Sequence, residues 1–459
     1  MKSKNFVLRK FPLLKEPKSV YKTNGSFYIL KNGTKILDST SGWTTFATLG
    51  FSNKRILNAI INQSKKFCHI DYNIWKNDEL NKLAKKLVKY SSKNLDRIYF
   101  SGNSGSESIE AAMKLSYQIH YNNGFKKKTD YIGRVQSFHG ATLQGMSVSE
   151  LPFLDIFEKI SPKNTHKIHQ HNFFKKCHWN NKKKSCDLRN CKLKPNICTG
   201  KFDNENETEY TNRSVNYFEK KILEVGPEKI CAFIGETQLA SLVGDVPPLK
   251  NYWKKISAIC KKYNIHLIMD EVYCGMGRSG NMYNFLWDDF EPDFVCLGKN
   301  TTSGHIPFSF VLTKSKFENT IGKGIGRIRI GHTFQGFSLG AAACNEYLNI
   351  LNDEKLLQRV IAIGKYMRNV LNQELGNHEF FDNIRGRGLM FSLQHRTPNN
   401  ELFSKYIYED MFNNYKILSN TKFHRTSFTP SFNMKKTNIN YILESYIKSF
   451  KQSTKKLKF

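Results

Sequence analysis

Two strand ends constrain this chain more than any other feature. An apolar run, IHLIMD, finishes in Asp270, and 29 residues later a second, DFVCLGK, finishes at Lys299. Short apolar runs of the same kind occur at Ile132–Val135, Ile230–Ile234, His266–Met269 and Phe294–Leu297, with helical spacing between some of them, as over Asn251–Tyr263. Alternation of this sort predicts an α/β fold, a mostly parallel sheet covered by helices. In an open parallel sheet the carboxyl ends of the strands face one crevice, where ligands bind, so Asp270 and Lys299 are expected to converge there. Alone, the pair reads more readily as two ordinary surface residues.

A glycine-rich turn changes that balance. The strand Arg97–Phe100 runs into NSGSE (Asn103–Glu107), which opens a helix. Gly105 and Ser106 would present N–H groups to an anion at the positive end of the helix dipole. Ser104 with Glu107 also has the spacing of a capping box, and both readings can hold together. The turn lacks the lysine of GxxxxGK[ST], which argues against a nucleotide-binding loop. A lysine that can bond a carbonyl, an acid that can keep a pyridine nitrogen protonated and a phosphate-binding turn suit pyridoxal phosphate.

Composition excludes other classes. With 39% hydrophobic and 13% aromatic residues the chain can bury a substantial core, so wholesale disorder is ruled out. Its 71 Lys+Arg against 39 Asp+Glu give +32, but the excess is spread from end to end beside Asn, Ile, Phe and Tyr, with only short runs such as NNKKKSC and KQSTKKLKF. That distribution predicts non-specific attraction to polyanions rather than a nucleic-acid function. No run approaches the roughly 20 apolar residues of a membrane helix, and the opening MKSKNFVLRK is charged, so a cytoplasmic location without a membrane partner is expected.

Six of the ten cysteines lie scattered in apolar or helical segments and read as core thiols. Cys177, Cys186, Cys191 and Cys198 instead fall close together, with His171 and His178 near, in a stretch that loses apolar periodicity. Residues 166–213 therefore read as an insertion. The four thiols would either hold zinc or an iron–sulfur cluster, in a structural role, or form an unligated loop.

Six blocks in order, NSGSESIEAAMK, SFHGATLQGMSVSE, AFIGETQLASLVGDVPPLK through IMDEVYCGMGRSGNM, PDFVCLGK, GHTFQGFSLGAAACN and IRGRGLM, resemble those of the class III (ω-type) aminotransferases. The resemblance covers roughly residues 20–435. It implies a fold-type-I transferase dependent on pyridoxal 5'-phosphate, with a large seven-stranded-type sheet domain and a smaller α+β domain built from both termini. The boundaries it implies are 1–64 and 336–459 for the small domain and 65–335, with the cysteine-bearing insertion, for the large one.

Carried over to this sequence, the resemblance makes Lys299 the residue that bonds the cofactor and Asp270 the partner of its pyridine nitrogen. Phe138 and Val272 would sandwich the ring, with His139 beside it. Gly105 and Ser106 would hold the phosphate, joined by Thr333 from a second copy of the chain, so a homodimer is implied. Glu236 would lie beside the substrate, and Trp43 and Arg425 would contact it, Arg425 through a carboxylate. The implied activity is ping-pong transfer of an amino group, from a terminal amine or an amino acid, to a keto acid or aldehyde. A racemase or aminomutase on the same fold is the alternative, and a basic binding protein on a degenerate fold a further one. Departures lie on the substrate side: Tyr273 where most members have glutamine, Thr237 where they have proline, and GKNTTSGHIPFSF in place of a glycine-rich run.

Overall fold

The computed structural model describes residues 6–10, 16–174, 179–180, 185–186, 200–202, 204–240 and 243–457. At its centre is a seven-stranded sheet in the order Arg97–Gly102, Ser309–Thr313, Phe294–Leu297, His266–Asp270, Ile230–Glu236, Asp130–Arg134 and Thr165–Ile168. The last five run parallel to one another, and Ser309–Thr313 alone is antiparallel to both of its neighbours. Every residue of Ile230–Glu236 and His266–Asp270 is buried, which requires cover on both faces. Alternation along the strands supplies that cover. Ala232, Ile234 and Ile268 meet the helix Gly105–Asn122, while Phe233, Leu267 and Met269 meet Glu207–Val225 and Tyr252–Lys262.

Two smaller sheets bring the ends of the chain together. The strands Val20–Asn24, Phe27–Leu30 and Lys35–Asp38 are completed by Ile417–Leu418, which runs parallel to Lys35–Asp38. The other sheet is antiparallel, in the order Phe381–Arg387, Met390–His395, Arg425–Phe428 and Asn420–Lys422. Among the described residues no helix is long and apolar enough to cross a membrane.

The structure departs from the sequence reading at four places. Helical apolar spacing runs from Ile56 to Tyr90 in the sequence, but the structure divides it into two helices, Lys54–Ser64 and Asp78–Lys89, each opened by an asparagine cap, Asn53 and Asn77. The edge strand Thr165–Ile168 buries only Ile168, so its pattern was too polar to read. Ser309–Thr313 was missed because five buried residues carry no alternation. The expected insertion is also narrower than 166–213. The edge strand of the seven-stranded sheet ends at Ile168, and KFDNENETEYTNRS holds the capping box of Asn206 and Glu209 that starts the helix Glu207–Val225. Cys177, Cys191 and Cys198 lie outside the described residues, as does the side chain of Cys186. Among the described residues no group of three His, Cys, Asp or Glu is arranged to hold a metal.

Candidate active site

The carboxyl ends of the central strands open into a cleft of about 700 Å³. Asp270 and Glu236 are register partners on adjacent strands, so two acids end side by side. They are held differently. Asp270 Oδ1 accepts the Val272 N–H at 3.0 Å, and Oδ2 lies 2.8 Å from Nδ1 of the buried His139. Glu236 has no hydrogen bond at Oε2, and burial raises its pKa above the ordinary carboxylate value, with His139 and Arg134 opposing. Arg134, fully buried on the next strand, donates to the Glu236 carbonyl and sits over the Trp253 ring.

Lys299 follows the end of Phe294–Leu297 and takes a left-handed backbone, φ 39°, the kind of strain that functional sites retain. Its ammonium lies 5.5 Å from the centroid of the Tyr273 ring. Burial pushes its pKa below the ordinary lysine value of 10.5, with Asp270 and Glu236 opposing. The group is therefore biased toward the neutral amine, the form that attacks carbonyl carbon.

The helix Gly105–Asn122 starts in the same cleft. Ser104 and Glu107 form the capping box, and Ser106 Oγ accepts the Ala141 N–H at 3.0 Å, tying the Phe138–Gly140 loop to the helix start. The amides of Gly105 and Ser106 belong to the first turn, which has no intrahelical acceptors for them. A methyl group on Gly105 would stand 2.4 Å from Val272 Cγ1, and one on Gly298 would stand 3.0 Å from the Gly105 backbone. Helix start, Val272 and the approach to Lys299 thus pack closely because two glycines lack side chains. A helix start with first-turn amides free of intrahelical acceptors, a lysine biased toward its amine and a doubly held carboxylate at one cleft fit pyridoxal phosphate.

Phe138, His139, Val272 and Trp43 also line the cleft. Trp43 sits in a loop where Ser41, Trp43 and Thr45 all have positive φ. Thr333 is exposed and does not line this cleft; its carbonyl lies 2.8 Å from His69 Nε2. Arg425 is buried behind the cleft wall, 1% exposed, and is likewise not a lining residue. Sequence reasoning missed Arg134, Asn420 and Lys422. The first supports Glu236 and the other two line the cleft. Only the strand order and hairpin register bring them there.

The seven-stranded α/β sheet thus brings a lysine, an acid and a helix start to one crevice. The aminotransferase class-III family model matches residues 15–449, and the chain belongs to that family. It is similar to an uncharacterised aminotransferase of Schizosaccharomyces pombe, 30% identical over 82% of this chain and 77% of that protein. It is also similar to gamma aminobutyrate transaminase 3, chloroplastic, of Solanum lycopersicum, 31% identical over 84% and 70%. An omega transaminase from Pseudomonas jessenii solved in complex with PMP shares the fold, with a TM-score of 0.84 and 24% identity over 96% of this chain and 94% of that one. The chain is thus a class III aminotransferase, an enzyme that transfers amino groups and for which pyridoxal phosphate is the expected cofactor.

Proposed function

We propose that this enzyme takes the amino group of a terminal amine or an amino acid and passes it to a keto acid or aldehyde by a ping-pong mechanism, as a homodimer in the cytoplasm. The observation that carries the reading is the meeting of Asp270, Lys299 and the Gly105–Ser106 turn at one cleft. When bound, pyridoxal phosphate supplies an electron sink for the carbon that loses a proton. Lys299 would bond the cofactor at rest and, once freed, would move that proton as a general base and acid, a task that its biased amine suits. Asp270 would keep the ring nitrogen charged. Phe138 and Val272, which line the cleft, would hold the ring between them, and His139 would orient Asp270. Gly105 and Ser106 would bind the phosphate, with Thr333 of a second copy. Glu236 and Trp43 border the substrate, and Arg425 meets its carboxylate.

A screen of amines against keto acids and aldehydes, read as formation of the new amine, tests this reading. Stoichiometric exchange supports it. Inversion or migration of the amino group without exchange would replace it with the racemase or aminomutase reading.

A further inference from the structure

Trp43, Thr44 and Phe46 reach the cleft on a turn whose backbone is strained. Ser41, Trp43 and Thr45 have φ of 50°, 65° and 71°, and Gly42 has 82°. Left-handed backbone is uncommon for residues that carry a side chain, and it persists only where the surroundings over-determine it. Here a buried carboxylate does so. Asp38 closes the strand Lys35–Asp38, is 2% exposed and gathers three donors from the turn. Its Oδ1 accepts the Thr40 N–H at 2.7 Å and the Thr40 hydroxyl at 2.6 Å, and its Oδ2 accepts the Gly42 N–H at 2.6 Å.

These bonds decide what holds Trp43. Burial pushes the Asp38 pKa up, and the donors at both oxygens, with the charge of Arg278, oppose it. As a carboxylate Asp38 can only accept, so the Thr40 hydroxyl gives its one proton to Oδ1 and serves its other neighbour as an acceptor. That neighbour is the Trp43 N–H, at 2.7 Å. The Trp43 backbone is thus tied to Asp38 through one hydroxyl. The flanking residues have anchors of their own. Ser41 Oγ donates to the Thr429 carbonyl at 2.7 Å, and Arg278 donates to the carbonyls of Thr45 and Pro430. Phe46 fills the space that side chains on Gly42 and Gly304 would need, so the turn also abuts the segment that follows Lys299.

We infer that Asp38 is a positioning residue for the amine-donor side of the cleft: through the Thr40 hydroxyl it holds Trp43 in the strained turn, and so it sets how the cleft discriminates aromatic from alkyl donors. The inference rests on the aminotransferase reading for the word donor, whereas the hold on the turn does not depend on turnover. Asp38 acts from a distance. It does not line the cleft, and it belongs to a different sheet from Asp270. The Trp43 side chain is 44% exposed, so an aromatic donor finds a ring to pack on only while the turn keeps its shape.

The test begins with hydrogen exchange at single amides of the cofactor-loaded protein, read by mass spectrometry. In Asp38→Asn the Gly42 and Trp43 amides should both exchange at least about tenfold faster than in the wild type. Thr40→Val keeps both N–H bonds to Asp38 and loses only the hydroxyl, so Trp43 alone should speed up, and Thr40→Ser should restore it. Unchanged exchange at Trp43 in Thr40→Val overturns the hold on the turn. In turnover with a keto acid acceptor, the ratio of kcat/KM for benzylamine over propylamine should fall about fivefold in Asp38→Asn and in Thr40→Val, the value of one aromatic pair. The fall should lie in KM, with cofactor affinity unchanged. In a Trp43→Ala background Asp38→Asn should leave that ratio within about twofold, because no ring remains to be misplaced. An unchanged ratio in the single variants, or an equal fall in the Trp43→Ala background, overturns the role in donor choice. Should Asp38→Asn not fold, the Thr40 variants decide both arms. If no amine is turned over by any variant, the aminotransferase reading fails, and exchange at Trp43 still decides whether Asp38 holds the turn.

Discussion

His139 Nδ1 lies 2.8 Å from Asp270 Oδ2, and both residues are buried at the base of the cleft. Since Oδ1 already accepts the Val272 N–H, the carboxylate is fixed by two donors from different segments. It cannot swing away from the ring nitrogen that it would face.

Asp270→Asn removes the charge while preserving the shape. The variant should still bind pyridoxal phosphate, because the phosphate turn is untouched, yet lose at least about 100-fold in the half-reaction rate. Single-turnover kinetics with an amino donor measure this directly. A rate within a few fold of wild type would show that the carboxylate has no electronic role.

Lys299 should be the residue modified when borohydride traps the bound cofactor, and Lys299→Ala should lose both that adduct and turnover. Burial lowers its pKa, so in the cofactor-free protein the amine is released at a pH below 10.5. Capture of pyridoxal phosphate should therefore accelerate as pH rises, with a midpoint below the lysine value. Stopped-flow absorbance across pH gives that midpoint. The same shift makes the cofactor-free fold gain stability from this group as pH rises toward 10.5, since in that interval the unfolded chain holds the proton more often than the folded one.

What could be read from the sequence was local. Asp270 and Lys299 each close an apolar run, and Ser104 to Glu107 is a cap written in consecutive residues, so neither needs knowledge of the fold. Arg134 was invisible for the opposite reason. It reaches the Glu236 carbonyl only because Asp130–Arg134 and Ile230–Glu236, a hundred residues apart, are neighbours in the sheet. Lys422 carried no signal in the sequence, and only the hairpin register sets it beside Arg425. The reading also stops where short polar strands look like loops, as at Thr165–Ile168.

Thr333 is exposed and outside the cleft of its own chain, with its segment held by His69 and by the contact of His332 Nε2 with Glu107 at 2.9 Å. If its hydroxyl serves a second copy, Thr333→Ala should weaken cofactor binding about tenfold, the value of one hydrogen bond to a charged group. Refolding a mixture of Lys299→Ala and Thr333→Ala chains then discriminates. In a mixed dimer one site receives an intact lysine from one chain and an intact threonine from the other, so tight cofactor binding should reappear. No recovery would assign Thr333 to its own chain or to neither.

The far ends of the central strands supply the last prediction, because His120 and His266 stack there at 4.0 Å between centroids and both are buried. His266 Nδ1 pairs with Ser116 Oγ at 2.8 Å, and His120 Nε2 lies 3.0 Å from the Cys231 carbonyl. Burial above all drives both pKa values down from 6.5, His120 to about 3, with the neighbouring imidazole adding to its shift, and His266 to about 4. Both are therefore neutral in the fold, while the unfolded chain takes up protons once pH drops below 6.5. The sign follows: stability is intact above 6.5 and is lost as pH falls from there toward 4 and 3, at up to about 1.4 kcal/mol per pH unit for each imidazole. Urea unfolding at pH 7.0, 6.0 and 5.0 should show this loss, and His120→Phe, which keeps a ring against His266 but cannot be protonated, should flatten it by about half. An equally steep pH dependence in that variant would mean that the acid sensitivity arises elsewhere.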